Sequence, residues 1–233
     1  MSVELAINVY GTLNYKLILT TLIIKLHHQD LVRYAFMTGK STRHYIGIST
    51  TMNIQKITFG NGCFWCTEAI FQTLKGIKSV TSGYMGGHIK NPTYMEVCNG
   101  DTGYAEVIHL EYDADEISFD ELLLVFFKTH NPTTLNRQGN DVGTQYRSAI
   151  FYYTDEQKQQ AEAMIKRLTD EKVFDKPIVT EVTPASDFYK AEDYHQNYYN
   201  DNPNKSYCAF VIQPKLNKFA KEFTDKIRPE LLK

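Results

Sequence analysis

The feature that most constrains this chain is a glycine turn running directly into a cysteine pair, Gly60-Asn61-Gly62-Cys63-Phe64-Trp65-Cys66. Ile54 to Phe59 before it reads as a strand, and Cys63 to Leu74 after it reads as a helix with Ile70, Phe71 and Leu74 at helical spacing. Gly60-Asn61-Gly62 forces the turn between them. A helix start presents free N–H groups and the positive end of the helix dipole. A thiol there is expected to ionise easily and to become a nucleophile. Cys63 is therefore the candidate nucleophile, with a lowered pKa expected from its position.

Three chemistries fit a C-x-x-C at such a place. Zinc needs a second close ligand pair, and the remaining cysteines, Cys98 and Cys208, are isolated, so no metal is expected. Thioredoxin-like disulfide exchange between Cys63 and Cys66 is a real rival, because it too puts C-x-x-C between a strand and a helix. The third is a single attacking cysteine whose neighbours Phe64 and Trp65 wall a substrate pocket.

The rest of the chain supplies alternating strand and helix signals. Gly76 is expected to stop the first helix, and Ile77 to Tyr84 forms a second strand. A loop rich in Asn, Pro, Gly and Asp spans 88–103, and a strand follows from Tyr104 to Tyr112. Ser118 with Glu121, and Thr154 with Gln157, have capping-box spacing and open two more helices. A long loop covers 130–145, Tyr146–Tyr153 forms a strand, and Ile178–Thr183 forms a last one. The order β-α-β-β-α-β over 54–153 predicts an α+β fold, a two-layer sandwich with a ferredoxin-like core. Residues 1–51 carry no such pattern and are expected to be an extension to a domain at 52–213, followed by a helical tail at 214–233.

Charge excludes some partners. The chain has 25 basic and 27 acidic residues and no long basic run, so no nucleic acid is expected. No stretch reaches the roughly 18 apolar residues of a membrane span. Four cysteines in 233 residues suit a reducing compartment, and the expectation is a cytoplasmic monomer with no membrane partner.

Beyond Gly62-Cys63-Phe64-Trp65, several blocks resemble the peptide methionine sulfoxide reductase A family in order: Gly83-Tyr84-Met85-Gly86-Gly87, Asn91-Pro92-Thr93-Tyr94, the run from Val97 to Glu106, the run from Arg137 to Ser148, and Ala191-Glu192-Asp193-Tyr194-His195-Gln196. The resemblance covers about residues 53–213 and makes thioredoxin-like exchange the lesser alternative. It implies reduction of methionine S-sulfoxide, free or in proteins. Cys63 would be the nucleophile and Glu106 the acid. Tyr94 and Tyr146 would bond the sulfoxide oxygen, Asp141 would orient the pocket, and Phe64 and Trp65 would hold the methyl group. His195 is expected to make a structural hydrogen bond, and Cys98 to be structural. The sulfenic acid left on Cys63 would condense with Cys208, which best matches the family's usual resolving position, or with Cys66 as the second candidate. The resulting disulfide would be recycled by thioredoxin, with no metal or organic cofactor.

Overall fold

The computed structural model describes residues 52–231, so the expectations for 1–51 lie outside the described residues. Strand β1 (Ile54–Asn61) leads into helix α1 (Phe64–Phe71), β2 (Ile77–Met85), a short α2 (Tyr94–Asn99), β3 (Ala105–Asp113) and α3 (Phe119–Thr129). A two-residue hairpin, β4 (Arg137–Gln138) and β5 (Asp141–Val142), precedes β6 (Ser148–Tyr152) and α4 (Asp155–Asp170). Strands β7 (Glu181–Pro184) and β8 (Tyr189–Lys190), helix α5 (Tyr198–Asp201), a π-helical turn at Cys208–Ile212 and helix α6 (Gln213–Glu222) complete the fold.

The six-stranded sheet runs β7-β6-β1-β3-β2-β8. Strands β6, β1, β3 and β2 are antiparallel neighbours, β8 adds antiparallel to β2, and β7 adds parallel to β6. The chain is thus a mixed α/β fold around one central mixed sheet. Both outer strands were unplaced or misplaced by the sequence pattern. The expected strand at 178–183 begins only at Glu181, and the two-residue β8 was not foreseen.

The period-two rule divides the sheet into two faces. Ile57, Phe59, Ile108, Leu110 and Ile150 join Phe71, Leu122, Phe126 and Met164 from α1, α3 and α4 in the main core. Met85, Ala105, Val107, Ala149 and Phe151 face the other way, against Ala185 and Phe188. Each large side chain buried in this way contributes roughly 1.5–3 kcal/mol. The alternation in β3 places Glu106 on the same side as Ile108 and Leu110, towards the helices. Helix α6 and the chain after it pack Phe219, Phe223 and Ile227 into the same core.

Local signals set most helix starts. Ser118 and Glu121 form the full capping box. Thr154 makes only half of one: its hydroxyl accepts from Gln157 N at 3.2 Å. The Gln157 side chain turns away, accepting from Tyr153 N at 2.8 Å and donating to Lys56 O at 2.7 Å, which ties α4 to β1. The 88–103 segment is not a plain loop. Thr93 and Glu96 cap α2 with a third box, and Gly100 ends it in the left-handed region.

Helix α1 ends at Phe71, earlier than the expected Leu74. The turn before it depends on Gly62, whose φ is +89°, and a Cβ there would lie 2.6 Å from Gln138 Cγ. Gly62→Ala is therefore expected to cost about 1–3 kcal/mol in stability, read as a lowered denaturation midpoint. The clashing Gln138 is fixed by its two hydrogen bonds to the Asn131 backbone.

Candidate active site

Cys63 is the N-cap of α1 and is 9% exposed. The Thr67 hydroxyl donates to Asn61 Oδ1 at 2.7 Å, which fixes the bend between β1 and the helix. Beside Cys63 is a cavity of about 170 Å³ lined by Cys63, Phe64, Trp65, Tyr94, Glu106, Asp141, Tyr146 and Tyr207. Seven of these eight are expected from the sequence. They arrive from β1–α1, α2, β3, the β4–β5 hairpin and the stretch just before β6.

Glu106 is 1% exposed, and its Oε2 accepts from Phe64 N at 3.1 Å. Burial pushes its pKa up to about 8. Asp141 and Cys66 push in the same direction, against the Phe64 hydrogen bond. The site thus holds a carboxylic acid protonated at neutral pH.

That hydrogen bond corrects the electrostatic expectation for Cys63. The helix-start N–H that was expected to stabilise a Cys63 thiolate is spent on Glu106. The Cys63 thiol is pushed well up, first by its hydrogen bond to Cys66, then by burial. Cys66 is lowered to about 6, first by the hydrogen bond from Cys63 and, against burial, by Lys215 and Tyr207. The contacts that Lys215 and Tyr207 make favour a negative charge on Cys66 over one on Cys63. The Tyr207 hydroxyl lies 3.8 Å from Cys66 Sγ, and Lys215 Nζ donates to that sulfur at 3.5 Å.

The remaining walls are held by a second ring of contacts. Glu192 accepts from the Tyr84 hydroxyl and from Tyr94 N, both at 2.9 Å, and so anchors the first turn of α2. Burial raises the hydroxyl pKa of both Tyr94 and Tyr146, keeping them as neutral donors. Trp65 stacks on Tyr198 with ring centroids 3.7 Å apart and donates to His195 Nδ1 at 3.1 Å. The His195 ring also packs 5.1 Å from Phe64 and 4.5 Å from Tyr94. Glu68, buried in α1, accepts from Asn197 N and Tyr198 N and thereby holds the residue that stacks on Trp65.

Cys208 is fully buried and lies outside the cavity lining. It clusters with Cys63, Cys66, Ala69 and Ile212. Cys98 is half-buried in α2, and burial raises its thiol pKa. All four cysteines are free. Sequence reasoning missed Tyr207, Lys215, Glu192, Tyr198 and Glu68. Glu192 stood within a quoted block. Tyr207 is one of 16 tyrosines, and its only signal was adjacency to Cys208.

Known proteins resemble this chain in sequence and fold. A family profile described as Peptide methionine sulfoxide reductase matches residues 55–227. The Peptide methionine sulfoxide reductase MsrA of Acinetobacter baumannii strain AYE is 56% identical over 170 residues, covering 73% of this chain and 96% of that protein. The MsrA of Deinococcus radiodurans is 55% identical over 174 residues, covering 75% of this chain and 84% of that one. Among solved structures, reduced Mxr1 from Saccharomyces cerevisiae aligns with a TM-score of 0.63 at 35% identity, covering 67% of this chain and 90% of that one. Methionine sulfoxide reductase A of Corynebacterium diphtheriae aligns with a TM-score of 0.58 at 36% identity, covering 66% and 77%. The chain belongs to the peptide methionine sulfoxide reductase family.

Proposed function

We propose that this protein reduces the S epimer of methionine sulfoxide, free or in proteins, to methionine, with Cys63 as nucleophile and Glu106 as acid. The observation that carries this is the placing of a buried carboxyl group, whose neutral form burial favours, and a buried cysteine in the wall of one small cavity. A sulfoxide oxygen leaves only when protonated, and Glu106 supplies that proton. Disulfide exchange moves no oxygen and needs no proton delivered to a leaving oxygen. Phe64 and Trp65 hold the methyl group, Tyr94 and Tyr146 donate to the sulfoxide oxygen, and Asp141 keeps the pocket polar on its hairpin side.

The charge balance runs through the cysteine pair. As the Cys63 sulfur attacks the sulfoxide sulfur, its proton passes to the Cys66 thiolate, and Glu106 gives its proton to the oxygen. The protonated oxygen then moves from the methionine sulfur to the Cys63 sulfur as the bond between the two sulfurs breaks, so methionine leaves and Cys63 is left as a sulfenic acid. Cys66 then attacks the Cys63 sulfur. An S–S bond forms, the S–O bond breaks, and the oxygen leaves as water with the Cys66 proton. An external dithiol of the thioredoxin type reduces the disulfide, and Glu106 regains its proton. The place of Cys66 one turn along α1 from Cys63, in the same buried cluster, supports it as the resolving cysteine, and Cys208, also in that cluster, is the second candidate.

Disulfide mapping after one equivalent of methionine sulfoxide tests this order. The wild-type chain is expected to yield a Cys63–Cys66 bond, and Cys66→Ser a persistent sulfenic acid or a Cys63–Cys208 bond. A Cys63–Cys208 bond in the wild type would assign resolution to Cys208 instead.

The strand order β6-β1-β3-β2 supports reading the core as ferredoxin-like. The family match to 55–227 supports a reductase domain beginning near Met52, preceded by an extension. No helix among the described residues is long and apolar enough to cross a membrane. The cytoplasmic, monomeric expectation is retained as part of this proposal.

A further inference from the structure

Lys215 has no place in the reaction as written above, yet its ammonium donates to the Cys66 sulfur at 3.5 Å. It projects from the first turns of α6, which follows directly on the π-helical turn that begins at Cys208. Lys215 is exposed, while Cys66, whose sulfur its ammonium contacts, is 5% exposed. An amphipathic lysine stem of this kind spans packed surface and delivers its charge to one point. We propose that Lys215 is a positioning residue that favours negative charge on Cys66, so that this sulfur takes the Cys63 proton during attack and gives it up readily as it closes the disulfide on Cys63. This rests on the assignment of Cys66 as the resolving cysteine.

Groups on every element packed around Cys66 bear on its charge. Cys63, on the same turn, donates to it, and burial opposes ionisation. The Tyr207 hydroxyl lies 3.8 Å away. Glu106 on β3 feels the Cys66 charge as repulsive and is pushed towards its neutral form. Cys208 is pushed up by burial and by the Cys66 charge, so it keeps its proton. Lys215 is the one formal positive charge among these neighbours. Without it, a buried thiolate would keep only neutral donors, and burial would return the proton to Cys66.

The test is the thiolate titration of Cys66 in the full chain, followed by ultraviolet thiolate absorbance against a Cys66→Ser reference. Lys215→Met keeps the aliphatic stem and removes the charge, and Lys215→Arg keeps the charge. The Met variant is expected to raise the Cys66 titration midpoint by roughly one to three pH units. It should also slow disulfide closure at neutral pH by a comparable factor, and Arg should restore most of both. An unshifted midpoint in a Met variant with wild-type thermal stability would overturn the proposal. If the Met variant unfolds, the midpoint is read instead in Lys215→Gln, with the same two outcomes. A shifted midpoint combined with a Cys63–Cys208 disulfide in the wild type would uphold the Lys215 contact while removing Cys66 as the resolving group.

Discussion

Glu106→Gln is expected to lower the rate of methionine release by about 10²–10⁴-fold, and to do so with the fold intact. Gln fills the same volume, and its carbonyl oxygen can still accept from Phe64 N, the contact that Glu106 makes at 3.1 Å. What it lacks is a transferable proton. The pH profile gives a sharper reading. The reactive form needs the cysteine pair to carry its charge and Glu106 to be neutral. Wild-type activity should therefore rise as pH passes about 6 and fall as it passes about 8. Because the two sites interact, these midpoints belong to the coupled site as a whole. Glu106→Gln should keep the acid limb and lose the alkaline one.

The same shift has a consequence for stability. An unfolded glutamate titrates near ~4.3, whereas folded Glu106 titrates at about 8. Between those values the folded chain holds a proton that the unfolded chain has lost. Stability contributed by this group is therefore full below the lower value and falls as pH rises towards the higher one. Glu106→Gln removes that loss. The variant is expected to melt at or above the wild-type temperature at pH 8 and beyond, while being far less active. A variant that is both slower and less stable there would mean that Glu106 acts as a structural hydrogen-bond acceptor rather than a neutral acid.

Cys63→Ser is expected to reduce methionine release to background under any reductant. A serine hydroxyl is a far weaker nucleophile than a thiol, and a thiolate such as Cys66 is too weak a base to activate it. The Cys63 side chain makes no cap hydrogen bond at the start of α1, and the bend is fixed by Thr67 and Asn61. Thermal stability should therefore change little. Cys63→Ala, which unlike Ser leaves no donor, should raise the Cys66 midpoint, because the largest cause of its lowering is the hydrogen bond from Cys63. Thiol titration of the variant reads this directly.

How much of this was legible in the sequence depended on how local each cause is. Ser118 and Glu121 lie three residues apart, so their cap was readable as spacing. The glycine turn and Cys63 were readable for the same reason. Helix α2 was not, because its six residues fall below any periodicity and sit among Asn, Pro and Gly. The ionisation of the pair was misjudged because it rests on contacts that spacing does not encode. Glu106 takes the Phe64 N–H from 42 residues away, and Lys215 reaches Cys66 across 149. Burial of Glu106 was decided by which face of β3 meets the helices. The alternation in that strand was visible beforehand, but the identity of the inner face was set by Ile108 and Leu110 packing on β1. The outer strands β7 and β8 have four and two residues and pair through backbone groups that carry no side-chain signature.

The most direct test of the central claim is methionine release from the separated S and R sulfoxides by the purified chain without added reductant. The account predicts one equivalent of methionine per chain from the S form, none from the R form, and loss of two free thiols in step with release. A folded chain that releases no methionine from either form, or that releases it without consuming thiols, would contradict it.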